Sequence, residues 1–288
     1  MPAELYALGT AFFFALHNLL TKKGLRYSNP ATAVLSSLMI NMVFLWGVSF
    51  LFLPIESLTI GAVLIFVLVG LFQPGLTRLL TYKGIETLGI AITDPIRATT
   101  PLFSAFMAIL FLGEQLTGPI TVATLLIIAG ITLLSLRNAS IKEFRPIYIF
   151  YPLAASLLAG CSQVLRKVGM GAVPHPILAA AVTASSSFVV SSLTLWIVEK
   201  KQETLKLNRQ CVPWYLAAGV VVSIAMTSIY YALDLGKVTV VIPVASTGPF
   251  FSLLLSALFL RDVERVTLKI VLGAALIVGG VLLITLWK

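Results

Sequence analysis

Charge is what this chain is short of. Of its 288 residues only 11% are Asp, Glu, Lys or Arg, against about a quarter in an ordinary soluble domain. Two histidines and two cysteines complete a sparse set of reactive side chains. No HExxH or GxSxG pattern occurs, so the familiar zinc and serine hydrolase arrangements are missing. GxxxxGK[ST] is missing too, which argues against a pump with its own nucleotide site. Cys161 and Cys211 lie in or beside apolar runs, and neither a disulfide framework nor a metal site is expected, nor any cofactor. Long polar stretches are also absent: "EKKQETLKLNRQ" (199–210) is the longest and reads as a surface loop. The N-terminal "MPAELYALGTAFFFALHNLL" has no basic leader region or small-residue cleavage site, and reads as a retained first helix.

What the chain has is hydrocarbon. Hydrophobic residues make up 59% of it, and the mean hydropathy is +1.02. Crossing a bilayer core takes about 20 apolar residues in a helix. Runs of that kind fall near 3–22, 31–53, 58–82, 88–112, 118–136, 147–166, 176–198, 212–233, 238–260 and 267–287. They do not alternate as barrel strands would. The expected fold is therefore all-α integral membrane, with ten transmembrane helices in a bacterial or archaeal inner membrane.

The net charge of +9 does not call for nucleic acid as a partner, because the basic residues gather in the loops. Loops joining spans 1–2, 3–4, 5–6, 7–8 and 9–10 carry fourteen Lys or Arg. The other face has four: Arg166, Lys167, Lys237 and Lys288. The positive-inside rule then places both termini outside.

An internal repeat runs through the chain. "NLLTKKG" (18–24) resembles "QVLRKVG" (163–169) at an offset of 145, and "PLFSAFMAILFL" (101–112) lies on "PFFSLLLSALFL" (249–260) at 148. At the latter offset Tyr82 meets Tyr230, Glu86 meets Asp234, Pro95 meets Pro243 and Pro101 meets Pro249. The halves divide as 1–140 and 141–288. Five spans is an odd number, so the second half enters the membrane in the opposite sense, an arrangement recurrent in secondary transporters.

"FLGEQLT" (111–117), "TYKGIETLGIA" (81–91) and the five-plus-five layout resemble the EamA family of the drug/metabolite transporter (DMT) superfamily. The likeness covers essentially the whole chain, once per half; the second copy of the turn, "LFLRDVERVT" (258–267), is degenerate. The resemblance implies a ten-helix transporter of small metabolites. Relatives of this kind export amino acids and similar compounds or exchange phosphorylated sugars and nucleotide-sugars, and they usually keep both termini in the cytoplasm, contrary to the charge count.

Polar residues inside spans are the candidate site, because ionisable groups cost about 2.5–3.5 kcal/mol at a helix centre on insertion scales. Asp94 and Arg97, in "AITDPIRATTP", lie three residues apart on one helix face and can pair. Arg97 falls about 13 Å deep at 1.5 Å per residue. Their counterparts Ile242 and Ala245 are apolar, which favours a role in substrate or proton handling over a general need of the fold. Asp94 is the one deep carboxylate that could carry a coupling proton. Arg78 is the second deep cation, although its place also suits snorkelling to the interface. Gln73 precedes Pro74, which frees a backbone carbonyl. Asn18 and Gln163 match across the repeat, as do His17 and Ser162; interhelical hydrogen bonding is the alternative role. Tyr230 and Tyr231 could stack on a substrate or gate it, or simply anchor the interface. Glu114 and Asp262 read as turn chemistry, Thr117 and Thr267 as helix N-caps. "GAALIVGG" (273–280) suits close packing of span ten, within the chain or against another subunit, so monomer and homodimer both stay open.

The expected function is secondary transport, in the efflux direction and by alternating access, of small polar metabolites such as amino acids or organic anions. The alternative is uptake or antiport of sugar phosphates, nucleotide-sugars or drugs. An intramembrane enzyme would need a catalytic cluster that the sequence does not offer.

Overall fold

The structure is a computed structural model that describes residues 2–52, 59–135, 146–173, 175–198, 208–259 and 268–287. Every described element is helical. The first two spans are α1 (Ala3–Gly24) and α2 (Pro30–Phe52). The third is divided into α3 (Ile60–Gly70) and α4 (Thr77–Leu88), and the fourth into α5 (Ile90–Arg97) and α6 (Thr100–Leu112). Then come α7 (Gly118–Ser135), α8 (Phe150–Ala172), α9 (Pro176–Val198) and α10 (Val212–Leu235). The ninth span is again two pieces, α11 (Val238–Ala245) and α12 (Gly248–Phe259), and α13 (Leu268–Trp287) is the tenth. Among the described residues nine helical units are long and apolar enough to cross a membrane, and Gly118–Leu134 is a shorter apolar helix. The ten expected spans are all present, and the protein is a multi-pass membrane protein.

Local chemistry sets the ends. Lys22 and Lys23 occupy the last turn of α1, where cations complement the helix dipole. Asn29 Oδ1 accepts from Thr32 N at 3.1 Å and caps α2. Gly89, at φ 80°, makes the tight connection from α4 to α5 in a backbone region that a side chain would resist. Sizes are sorted inside out. Ala7, Ala11 and Ala15 are at or near zero exposure along one face of α1, whereas Leu51, Phe52 and Phe111 are over 70% exposed at what is the lipid boundary. Small residues inside let helices approach closely, which is how packing is won where lipid is as apolar as leucine.

Contacts between the halves come in exchanged pairs. α1 packs on α10 and α12, and α8 packs correspondingly on α3, α4 and α6. α2 meets α10 as α9 meets α3; α2 also meets α9, and α7 meets α13. Gly273 and Gly280 of span ten serve this last contact. A Cβ on Gly130 would sit 2.6 Å from Gly273 O, and one on Gly280 would sit 2.8 Å from Ala123 O. Only bare backbones can come that near.

The breaks in spans four and nine fall at matched places between Pro95 and Pro101 and between Pro243 and Pro249. Each break is sealed in the same way. Thr99 Oγ1 donates to Ile96 O (2.6 Å) and Leu102 N to Thr99 O (2.9 Å). Thr247 Oγ1 donates to Val244 O (2.8 Å) and Phe250 N to Thr247 O (2.9 Å). The same carbonyls also accept from Thr99 N (3.1 Å) and Thr247 N (3.2 Å), so hydroxyl and amide together keep the backbone at each break hydrogen-bonded.

Glu114 has a larger part than turn chemistry. Its carboxylate accepts from Val238 N (2.8 Å), Thr239 N (2.9 Å) and Thr239 Oγ1 (2.8 Å). The acid of the "FLGEQLT" turn therefore caps the N-terminus of α11 in the other half of the chain. Thr117 stands just before α7, and its carbonyl oxygen accepts from Thr121 N at 3.0 Å; Asp262 and Thr267 lie outside the described residues. Glu114→Ala is expected to cost about 1–2 kcal/mol, the range for losing a helix cap. Thermal melting of the purified protein in detergent reads that loss, with Glu114→Gln recovering part of it.

Candidate functional site

The broken helices meet around one cavity of about 700 Å³. Its walls include Asn18 and His17 from α1, Gln73 and Arg78 from the third span, Asp94 and Arg97 from α5, and Gln163 and Arg166 from α8. Six of the sequence-derived candidates therefore share one chamber: Asn18, Gln73, Arg78, Asp94, Arg97 and Gln163.

The third span supplies Gln73 by giving up helical geometry. Leu71–Leu76 forms a widened turn in which Gln73 adopts φ −136° and ψ 117°. Wide turns of this type often mark functional positions in helices. Gln73 Oε1 accepts from Gln163 Nε2 at 3.1 Å, and Gln163 Oε1 accepts from Arg166 Nη1 at 2.9 Å. One end of the chamber is thus a chain of amides ending in a guanidinium. Arg166 is 7% exposed, its Nε has no hydrogen-bond partner, and its guanidinium carbon lies 5.5 Å from the centre of the Tyr230 ring.

Asp94 and Arg97 occupy the same turn of α5, yet they do not form the ion pair their spacing allows. Among the described residues the ion pair within 4.0 Å is Lys83–Glu86, on the exposed end of α4. Arg97 Nη1 is buried without a hydrogen-bond partner. Both side chains line the cavity instead of neutralising each other. Arg78 also reaches the cavity, while its Nε donates to the Tyr82 hydroxyl at 3.2 Å. His17 Nδ1 lies 3.0 Å from the carbonyl oxygen of Ala218, so Nδ1 is the donor in this contact.

Two candidates are corrected. Tyr230 is fully buried and does not line the cavity; its hydroxyl bonds Thr183 Oγ1 at 2.5 Å, and its ring lies behind Arg166. Tyr231 is on the other side of α10, stacked on Tyr6 with ring centres 5.4 Å apart. The two rings thus point in different directions from α10, and neither lines the cavity. Arg166 and Lys167 are corrected in the opposite direction. Counted as loop residues, they lie inside α8, which runs six residues beyond the expected end at 166 and finishes at Ala172.

The sequence reading also passed over Asn41. Its Oδ1 accepts from Ser223 Oγ at 2.9 Å and its Nδ2 donates to Met226 Sδ at 3.1 Å. Together with Thr10, Ser37 and Ser187 it adds neutral polar groups to the wall. No repeat mismatch marked these residues, and single hydroxyls and amides are common in membrane helices. Arg166 did leave a signal: "KVGMGAV" after it contains no charge or proline beyond Lys167, so nothing in the sequence stopped the helix there.

Known proteins agree with this architecture. The family model for the EamA-like transporter family matches twice, over residues 1–136 and 146–286. An uncharacterized protein of Methanocaldococcus jannaschii is 33% identical over 94 residues, which are 33% of this chain and 67% of that one. A crystal structure of a protein superposes with a TM-score of 0.83 at 17% identity, covering 99% of this chain and 96% of its own. That last likeness concerns the fold alone. Members of this family are generally not enzymes. The two matches span nearly all of both halves, and the chain belongs to the EamA-like transporter family, within the DMT superfamily of small-molecule transporters.

Proposed function

We propose that this protein is a secondary transporter that moves a small anionic metabolite, an amino acid or organic anion, out of the cell by alternating access. The observation that carries the reading is the charge of the chamber. Arg78, Arg97 and Arg166 line it with Asp94 as the single carboxylate, and among the described residues no ion pair within 4.0 Å cancels them. Guanidiniums present forked donors suited to carboxylate or phosphate. Unneutralised in a low-dielectric interior, they are costly until an anion arrives. Asp94, beside Arg97, is placed to meet the ammonium of an amino acid or to carry a coupling proton. A volume of about 700 Å³ is ample for such a substrate and falls in the usual range for small-molecule sites. The repeats 1–140 and 141–288 would exchange shapes around this chamber, as matched breaks in α5/α6 and α11/α12 would allow.

One observation favours a second reading. Three arginines against one aspartate leave a formal excess of two positive charges, which also suits the dianion of a sugar phosphate or nucleotide-sugar, taken up or exchanged. Counterflow separates the two. Proteoliposomes preloaded with amino acids or organic anions should accelerate entry of the labelled compound under the first reading, and only phosphate esters should do so under the second.

Arg97→Ala is expected to lower transport at least about 30-fold, since truncating one member of a buried charge interaction costs about 2–5 kcal/mol. The protein should remain folded and inserted, as judged by monodisperse elution in detergent. Normal flux in that variant would refute the assignment. In addition, a true substrate at about 100 times its Kd should stabilise the wild-type protein by about 2.7 kcal/mol in thermal melting, and this gain should shrink in Arg97→Ala.

A further inference from the structure

The two ends of the bundle are not closed alike. At the end of α8, Lys167 Nζ donates to the carbonyl oxygens of Leu233 (2.5 Å), Asp234 (3.1 Å) and Gly236 (3.0 Å). These are the terminal carbonyls of α10 and the residue after it. The last carbonyls of any helix lack intrahelical partners and carry its negative dipole end. An ammonium has three donors and can satisfy three of them at once. Next to it, Glu114 holds the first amides of α11. The α10–α11 connection is thus pinned on both sides, lysine on the carbonyl end and glutamate on the amide end.

The repeat supplies the same device a second time. Lys22 stands in "NLLTKKG" where Lys167 stands in "QVLRKVG". The counterparts of Leu233, Asp234 and Gly236 are Ile85, Glu86 and Leu88, the last turn of α4. Here, however, the device is not engaged. Lys22 is exposed and makes no hydrogen bond or ion pair among the described residues. α8 packs on α10, while α1 and α4 make no comparable contact. Lys167 is thus engaged with its helix end, while Lys22 and the cavity-lining Asn18 one turn before it are exposed.

We propose that Lys22 and Lys167 are alternating latches: Lys167 on the C-terminus of α10 holds the conformation seen here, and Lys22 on the C-terminus of α4 holds the opposite one. Neither lysine lines the substrate cavity. They act by position, each weighting one state of the transport cycle. A group that bonds only one of two conformations shifts their populations by its differential energy. For a charge-assisted hydrogen bond the shift is about tenfold or more.

The inference rests on the alternating-access reading, and its test needs no substrate. In full-length protein with Cys161→Ala and Cys211→Ser, single reporters are introduced by Leu38→Cys or Val241→Cys. Leu38 lines the open cavity, and Val241 is fully buried beside Gly236 under the latched connection. A charged methanethiosulfonate reagent is applied to detergent-solubilised protein, where both faces are accessible. Lys167→Met should raise labelling of Val241→Cys about tenfold and lower that of Leu38→Cys. Lys22→Met should do the reverse, and Lys167→Arg should stay close to wild type. Lysines whose removal changes neither rate, or changes both reporters in the same direction, overturn the latches alone. A Val241→Cys reporter that stays unlabelled in every variant overturns the latches and alternating access together. Failure of Arg97→Ala to impair flux, by contrast, refutes the anion site and leaves this labelling pattern as predicted.

Discussion

Hydrocarbon offers no hydrogen bond to a backbone that leaves the helix, and that constraint governs where this chain can be irregular. Interruptions occur within spans three, four and nine, and parts of all three border the central cavity. At two of them a threonine three residues beyond the exposed carbonyl closes the gap. At the third, Gln73 leaves helical geometry and its side chain joins an amide chain running to Arg166. The same departures that would be ruinous against lipid become useful against a cavity, because they expose polar groups to a ligand.

The electrostatics follow from that geometry. A buried guanidinium in a membrane protein normally finds a carboxylate, and here the nearest candidate shares a helical turn with Arg97 without pairing to it. Asp94 and Arg97 have no charged counterparts in the second half, and Arg166 faces Thr21 across the repeat. The scaffold is thus close to symmetric while its charge is concentrated on particular elements. Under the proposed alternating access, symmetry would serve the exchange of shape between the halves and asymmetry the recognition of a ligand.

The architecture was legible in the sequence because it depends on long-range averages. Apolar runs of membrane length, an odd number of spans per half and prolines recurring at 148 residues survive many local ambiguities. Six of the residues that line the cavity were legible for a related reason: a polar group in an apolar span is conspicuous against its surroundings. What failed depended on single-turn detail. Span six was ended at Arg166, the first charge met, although α8 continues to Ala172 and the long arginine is covered by Tyr230 and Gln163. Tyr230 and Tyr231 were grouped as neighbours in sequence, yet successive helical residues are 100° apart. Glu114 was assigned to its own turn because its partners, 124 and 125 residues onward, carry no mark of the contact in the sequence.

That carboxylate has a consequence for how the protein is made. Synthesis proceeds from the N-terminus, so Glu114 enters the membrane well before the amides of Val238 and Thr239 exist. Until then the first five spans hold this carboxyl group at their margin with no helix end to receive it. The first half is thus chemically unfinished by itself, and the arrival of α11 completes a bond that the ribosome began more than a hundred residues earlier. The cap ties the turn between spans four and five to the start of the ninth span, so this contact forms only after α11 has been made.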